Sequence, residues 1–169
     1  ISQIMNVVNP LFPTYFKENK LIQLKSLYTW LNKLLPIIGG CIFIVIFGLG
    51  KDLTLLWTHR SDMFCGYLVG AALGLYCYVL CSSIVPYSVI VAMNYSREIV
   101  SLTLIEAMIN LSLSIYLVQK MGVAGVVLAT LIAHSFSMLW LAPIKLNHLL
   151  PKLVKFDYGY LIKHCILAL

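Results

Sequence analysis

Glu106 is an acidic residue inside a predominantly apolar stretch of the sequence. Thr103, Glu106, Asn110 and Ser114 are spaced by three or four residues, so a helix would place all four side chains on one face. An ionised carboxylate at membrane depth costs about 2.5–3.5 kcal/mol on insertion scales. Glu106 is therefore predicted to face protein or a water-filled cavity, where it could hold a cation or orient a hydroxyl group.

Two interpretations of this polar face stay open. Asn110 and Thr103 could serve only as hydrogen-bonding groups between helices, as amide and hydroxyl side chains do in membranes. Glu106 could be functional, or a tilt of its helix could bring it to the cytoplasmic interface, where its role would be structural.

Lys33 and His134 are two further polar residues within apolar segments. Lys33 could snorkel back to the headgroups, because its long apolar stem lets the ammonium group reach water. Alternatively, it could meet a phosphate in a cavity. His134 could be a hydrogen-bonded packing residue or a proton relay.

The composition indicates a membrane protein. Of the 169 residues, 61% are hydrophobic and 11% charged, whereas a soluble domain is about 45–50% apolar and about 25% charged. The net charge of +6 is spread over short loops rather than gathered on one face, which argues against nucleic acid as a partner. The five cysteines are scattered through apolar segments, and no pair has metal-ligand spacing with histidine support. We expect no metal, no cofactor and no catalytic residue.

Hydropathy predicts an all-α bundle of membrane-spanning helices. Two spans at the ends are expected to be truncated, and the whole chain is expected to be a fragment of a longer protein. The four complete spans are predicted at about 27–50, 63–93, 98–119 and 123–144, and the truncated ones at about 1–16 and 157–169.

The distribution of basic residues predicts the orientation. Seven Lys and Arg residues lie in the loops 17–26, 94–97 and 145–157, and three lie in the loops on the opposite side. Because cytoplasmic loops carry an excess of positive charge, the first group is assigned to the cytoplasm.

Small residues at four-residue spacing predict where helices approach one another closely. One such ridge belongs to the third span and another to the fifth, which follows a tight turn that needs small residues. The predicted packing positions are Gly66, Gly70, Gly74, Gly122, Gly125, Ala129 and Ala133.

The stretch IEAMINLSLSIYLVQKMGVAGVVLATLIA resembles a helical hairpin of the O-antigen flippases, which are polysaccharide exporters of the multidrug/oligosaccharidyl-lipid/polysaccharide transporter superfamily. In that hairpin, an apolar helix containing Asn is followed by a Gly-x-x-Gly turn and a small-residue helix with Ala-Thr. The matching residues are Asn110, Gly122, Gly125, Ala129 and Thr130. NPLFPTYFKENKLIQLKSLYTWLNK and AMNYSREIVSLTLIEAMINL are similar to further segments of the family, and the likeness covers most of residues 3–145.

The resemblance implies a transporter with two helical bundles around a cavity that opens alternately to each side of the bacterial inner membrane. Residues 1–169 would be part of the second, C-terminal bundle, and the rest of the same chain would be its partner. The implied substrate is a lipid-linked oligosaccharide, such as the repeat unit of O-antigen in lipopolysaccharide or of another polysaccharide. The implied coupling ion is H+ or Na+.

Two other functions stay open. One is a drug or small-solute exporter of the same superfamily. The other is a membrane-embedded enzyme of envelope biosynthesis, which would need paired acidic groups or a histidine with a carboxylate at a membrane face. The polar loop 51–62 offers such residue types in Asp52, His59, Arg60 and Asp62.

Overall fold

The computed structural model describes residues 2–60 and 64–150, and in these two ranges the chain forms helices and no strand. The elements are α1 (Ser2–Val8), α2 (Leu11–Lys17), α3 (Leu21–Thr58), α4 (Tyr67–Ala92), α5 (Ser96–Met121), α6 (Val123–His134), a π-helical segment (Ser135–Leu141) and α7 (Ala142–Leu149). The last three follow one another without a break. They are called the α6–α7 span below.

Four helical segments of the described chain are long and apolar enough to cross a membrane: α3, α4, α5 and the α6–α7 span. Each holds an 18-residue window with a mean hydropathy between 1.6 and 2.2 and few charges. The predicted all-α fold is therefore confirmed, and the number of helices able to cross a membrane agrees with the four complete spans expected. The predicted sixth span, 157–169, lies outside the described residues.

The N-terminal apolar segment differs from the single span expected over residues 1–16. It forms two short helices, α1 and α2, that are separated at Asn9 and Pro10. Proline has no backbone N–H and cannot continue the hydrogen-bond ladder of the preceding turn, which accounts for the break. Phe12 of α2 is fully buried in the core.

Helix α3 is longer at both ends than its predicted limits of 27 and 50. It begins at Leu21, where a loop was expected, and includes Lys51 to Thr58 from the expected outer loop. Its 38 residues span about 57 Å, well beyond the roughly 30 Å hydrocarbon core. Polar residues therefore mark where α3 leaves the apolar layer, not where the helix ends.

Close approach between α3 and α4 depends on two glycines. A Cβ atom on Gly74 would lie 2.8 Å from Cδ2 of Phe43, and one on Gly39 would lie 2.8 Å from Cβ of Cys81. Both distances are shorter than real side chains permit. The two helices can therefore approach this closely only because these positions have no side chain.

The predicted packing positions do not all make contacts. A Cβ on Gly70 would come no nearer than 4.0 Å, to the carbonyl oxygen of Ile46. Gly66 precedes α4 with φ +95° and faces open space, so it is a turn residue and not a packing position. Gly122 forms the turn between α5 and α6 with φ +58°, and it also faces open space.

The second predicted ridge lies in the interface between α5 and α6. Gly125 is buried, and a Cβ there would overlap the carbonyl group of Leu117. Ala129 and Ala133 are fully buried. These small residues bring the backbones of α5 and α6 together and thereby set how closely the polar side chains of the two helices meet.

Candidate intramembrane polar site

His134, at the end of α6, contacts polar groups on two other helices. Its Nδ1 lies 2.7 Å from Oε1 of Glu106 on α5. Its Nε2 lies 3.2 Å from Oγ of Ser83 on α4. The three side chains form a continuous chain of carboxyl, imidazole and hydroxyl groups, which is called the Glu106–His134–Ser83 chain below.

The Glu106–His134–Ser83 chain lies well inside the membrane-spanning helices rather than at their ends. Glu106 follows the start of α5 at Ser96 by ten residues and precedes its end at Met121 by fifteen. At 1.5 Å per residue, these distances are about 15 Å and 22 Å. Ser83 lies nine residues from the end of α4, so it is also well inside its helix.

The three side chains are largely enclosed by protein. The side chain of His134 is 12% exposed, that of Glu106 is 22% exposed, and Ser83 as a residue is 2% exposed. The ring of Tyr76 on α4 packs edge-on against the imidazole, with centroids 5.3 Å apart. Glu106 thus faces His134 and the neighbouring helix in this structure.

The geometry satisfies the hydrogen bonds of His134 in both of its protonation states. A carboxylate only accepts hydrogen bonds, so Nδ1–H donates to Glu106 when that residue is ionised. With a neutral imidazole, the Ser83 hydroxyl can donate to Nε2. With a charged imidazole, Nε2–H donates to Ser83 Oγ, whose hydroxyl then has the carbonyl oxygen of Leu80 as acceptor at 3.3 Å. Gain or loss of a proton by the imidazole therefore leaves Glu106, His134 and Ser83 each with a hydrogen-bond partner.

Asn110, one turn further along α5, forms a second polar contact with α6. Its Oδ1 accepts a hydrogen bond from Oγ1 of Thr130 at 3.4 Å and from Oγ of Ser114 at 3.0 Å. Asn110 thus links the two helices, as one of its two sequence-based interpretations proposed. The residue pair of the quoted hairpin motif, Asn110 and Thr130, is in direct contact.

The register of the hairpin explains which residues meet. Glu106 and His134 lie fourteen residues on either side of Lys120, and Asn110 and Thr130 lie ten residues on either side. In an antiparallel hairpin, residues equidistant from the turn face each other. The turn at Gly122 and the close packing at Gly125 thus align both polar pairs.

A third polar link joins α5 and α7 at the other end of the hairpin. Nζ of Lys145 contacts both Oε2 of Glu98 and Oγ of Ser101. These residues were not selected from the sequence, because Lys145 was counted as a loop cation. Glu98 lies in the first turn of α5, where acidic residues are favoured. Its position in the sequence could therefore have indicated the start of this helix, but not its contact with Lys145.

The π-helical segment begins directly after His134. Pro143 follows this segment, and a proline cannot donate the backbone hydrogen bond that a regular α-helix would need there. Counted from Lys120, Lys145 lies 25 positions further along the chain, whereas its partner Glu98 lies 22 positions back. The wider turns of a π-helix use more residues for the same length, which agrees with this shift. Such segments occur frequently at functional sites.

Thr103 and Lys33 do not join this site. The hydroxyl of Thr103 donates to the carbonyl oxygen of Ile99, and the residue is exposed on the outer side of α5. Lys33 is exposed on α3, in a groove considered separately below. Ser83 and Tyr76 belong to the site but were not predicted, since no spacing rule connects α4 with residues of α5 and α6.

In the described part of the chain, no three His, Cys, Asp or Glu residues are grouped so that they could bind a metal ion. Comparison with known proteins found no matching protein-family model, no matching curated protein and no matching solved structure. The four long apolar helices of this all-α bundle fit a membrane protein.

Proposed function

We propose that this chain is part of a transporter that moves a lipid-linked oligosaccharide across a bacterial inner membrane, without covalent chemistry. In this proposal the Glu106–His134–Ser83 chain is the site that couples transport to an ion. The observation that carries the proposal is the 2.7 Å contact between Glu106, in α5, and His134, near the middle of the α6–α7 span. Ionisable groups at such depth are costly and are typical of proton relays and ion paths.

The contacts favour a proton over a sodium ion as the coupling ion. Sodium is a hard cation that prefers several oxygen ligands, whereas Oε1 of Glu106 is occupied by an imidazole nitrogen. An imidazole nitrogen can accept and release a proton. The alternative acceptor that Leu80 offers to Ser83 lets the site alternate between two protonation states.

The choice of a lipid-linked sugar as substrate rests on the sequence resemblance to the O-antigen flippases. The positive charge bias supports placing the segments 17–26, 94–97 and 145–157 on the cytoplasmic side. The remainder of the same chain would provide the opposite wall of the transport cavity.

The test is transport in a strain whose own copy of the gene is deleted, with surface polysaccharide as the readout. Glu106→Gln keeps the shape of the side chain and removes its charge, and His134→Gln removes the titrating ring. Both variants should lose most transport at matched protein levels, because neither can pass on a proton. Thr103→Val on the same helix is the control and should transport normally.

Transport that survives Glu106→Gln and also Glu106→Ala would refute the coupling site. The choice of a proton as the coupling ion is tested in vesicles that contain the wild-type protein. Full transport with a sodium gradient but none with a proton gradient would refute it. Accumulation of a small solute in place of lipid-linked sugar would favour an exporter of the same superfamily.

An enzyme is a second candidate, because hydroxyl, imidazole and carboxyl groups follow one another in the order that activates a serine nucleophile. Ser83 is 2% exposed, so a substrate would have to displace neighbouring side chains to reach it. A fluorophosphonate probe distinguishes the two functions. Labelling that Ser83→Ala abolishes would favour a serine enzyme, and the absence of labelling at full transport activity would favour the transporter.

A further inference from the structure

An open groove with a volume of about 460 Å³ lies along the first part of α3, away from the polar site described above. Its walls combine cationic, hydroxyl and apolar side chains. They are Ile22, Lys25, Ser26, Thr29, Trp30 and Lys33.

Two lysines give this groove its charge. Lys25 and Lys33 are eight residues apart with Thr29 midway, so the three share one face of α3 over about 12 Å. In the described part of the chain, neither lysine has an acidic partner, whereas Lys20 and Lys145 each form an ion pair. The groove therefore presents two uncompensated positive charges.

The groove lies at the level where the bundle ends. Gly39 of α3 packs against Cys81 of α4, and α4 continues for eleven residues to Ala92. Because the two helices are antiparallel, eleven residues back from Gly39 places the end of α4 level with Tyr28. Lys25 and Lys33 thus lie on either side of this level, on the side that the charge bias assigns to the cytoplasm.

The apolar residues of the groove fit the same boundary. Trp30 is 56% exposed, and indole rings prefer the level of the lipid headgroups. Ile22 is also exposed. Lys33 lies on the apolar side of the boundary, and its stem is long enough to bring the ammonium group up to the headgroups.

We propose that this groove binds the headgroup of an anionic phospholipid, with Lys25 and Lys33 on either side of the phosphate and Trp30 beside the upper acyl chains. Basic pockets on the cytoplasmic side of membrane helices bind such headgroups. A zwitterionic lipid carries its own cation and gains less from the two lysines. The proposal is independent of whether the protein transports sugars.

The experiment measures lipid binding at Trp30 by fluorescence quenching. Within residues 1–169, Trp57→Phe and Trp140→Phe leave Trp30 as the single tryptophan, and the protein is reconstituted in bilayers. One series of bilayers mixes brominated phosphatidylglycerol with unbrominated phosphatidylcholine. The other series mixes brominated phosphatidylcholine with unbrominated phosphatidylglycerol. The dependence of quenching on composition gives the relative binding constant of the two lipids beside Trp30.

Phosphatidylglycerol should be preferred, and the preference should fall about fivefold for each lysine changed in Lys25→Gln and Lys33→Gln. The control removes the same charge on the same side of the bundle through Lys17→Gln and Arg97→Gln, two exposed residues outside the groove. All four side chains are exposed, so the variants should fold, which circular dichroism checks.

Three results would overturn the proposal. One is an unchanged lipid preference after both groove lysines are replaced. Another is an equal loss of preference in the control, which would show a diffuse charge effect. The third is a response of Trp30 to inorganic phosphate in pure phosphatidylcholine bilayers that needs both lysines, which would show a site for the free anion.

Discussion

The interface between α3 and α4 differs in kind from the interface between α5 and the α6–α7 span. The first depends on two glycines that allow close contact with Phe43 and Cys81. The second has small residues as well, but it also carries polar links at three levels of the hairpin. These links are Glu106 with His134, Asn110 with Thr130, and Glu98 with Lys145.

Stability alone does not account for the polar links. Hydrogen bonds between membrane helices contribute about 0.6 kcal/mol on average, whereas burying an acidic side chain in the membrane costs several times as much. The α3–α4 interface forms with close packing at glycine, so an acidic residue is not needed to join two helices. The comparison therefore assigns stability mainly to the small residues, and it supports the proposal that the Glu106–His134–Ser83 chain is kept for function.

The largest effect is expected from Gly125→Leu. A side chain there would overlap the backbone of Leu117, which is part of helix α5 and cannot move aside as a flexible side chain could. We expect destabilisation of about 3 kcal/mol or more, since overpacking costs 1–3 kcal/mol even where side chains can adjust. Folded yield in detergent and the midpoint of thermal unfolding measure this. An unchanged midpoint would show that the α5–α6 hairpin is not packed as described.

The next largest effect should distinguish two glycines of α4. Gly74→Ala should destabilise the protein by about 1–3 kcal/mol, because its Cβ would lie 2.8 Å from Phe43. Gly70→Ala is the matched control, since its Cβ would come no nearer to α3 than 4.0 Å, at the carbonyl oxygen of Ile46. Equal unfolding midpoints for the two variants would contradict the packing assigned to α3 and α4.

The fold was largely predictable because its signal is local. Runs of about 20 apolar residues determine the number of spans, and turns such as Gly122 mark their ends. The limits of α3 were not predictable by the same argument, since a helix continues into water when nothing ends it. The break at Pro10 was available in the sequence, but hydropathy does not register a proline.

The site was predictable in part. The cost of burial predicted that Glu106 faces protein, and the symmetric spacing about Lys120 could have paired it with His134. Ser83 could not have been found, because its contact with His134 depends on how α4 packs against the hairpin. Thr103 was grouped with Glu106 because ideal spacing defines a broad face, whereas only part of that face touches α6.

A smaller effect is expected when the polar chain is tested for stability. A double-mutant cycle with Glu106→Ala and His134→Ala should give a coupling energy of about 0.6–1.7 kcal/mol, the range found for hydrogen bonds between membrane helices. Reversible unfolding in mixed micelles measures it. A coupling of several kcal/mol would instead make the pair a main stabilising contact and would remove the contrast with α3 and α4.

The cycle has a control in the same hairpin. The 3.4 Å contact between Asn110 and Thr130 is longer than the contact of Glu106, and both groups are uncharged. Asn110→Ala combined with Thr130→Ala should therefore give a smaller coupling energy. A larger value for this pair would mean that the shared motif residues, rather than the ionisable chain, hold the two helices together.

The smallest effect is expected from Thr103→Val. The hydroxyl of Thr103 donates to the carbonyl oxygen of Ile99 in its own helix, and valine keeps the branched shape of the side chain. Since the residue is exposed on α5, we expect the free energy of unfolding to change by less than about 0.5 kcal/mol. Transport should also be unchanged, in contrast to Glu106→Gln three residues further along the same helix. A loss of transport without a loss of stability would mean that this face of α5 takes part in function. The polar chain on the inner side of the hairpin would then be only part of the site.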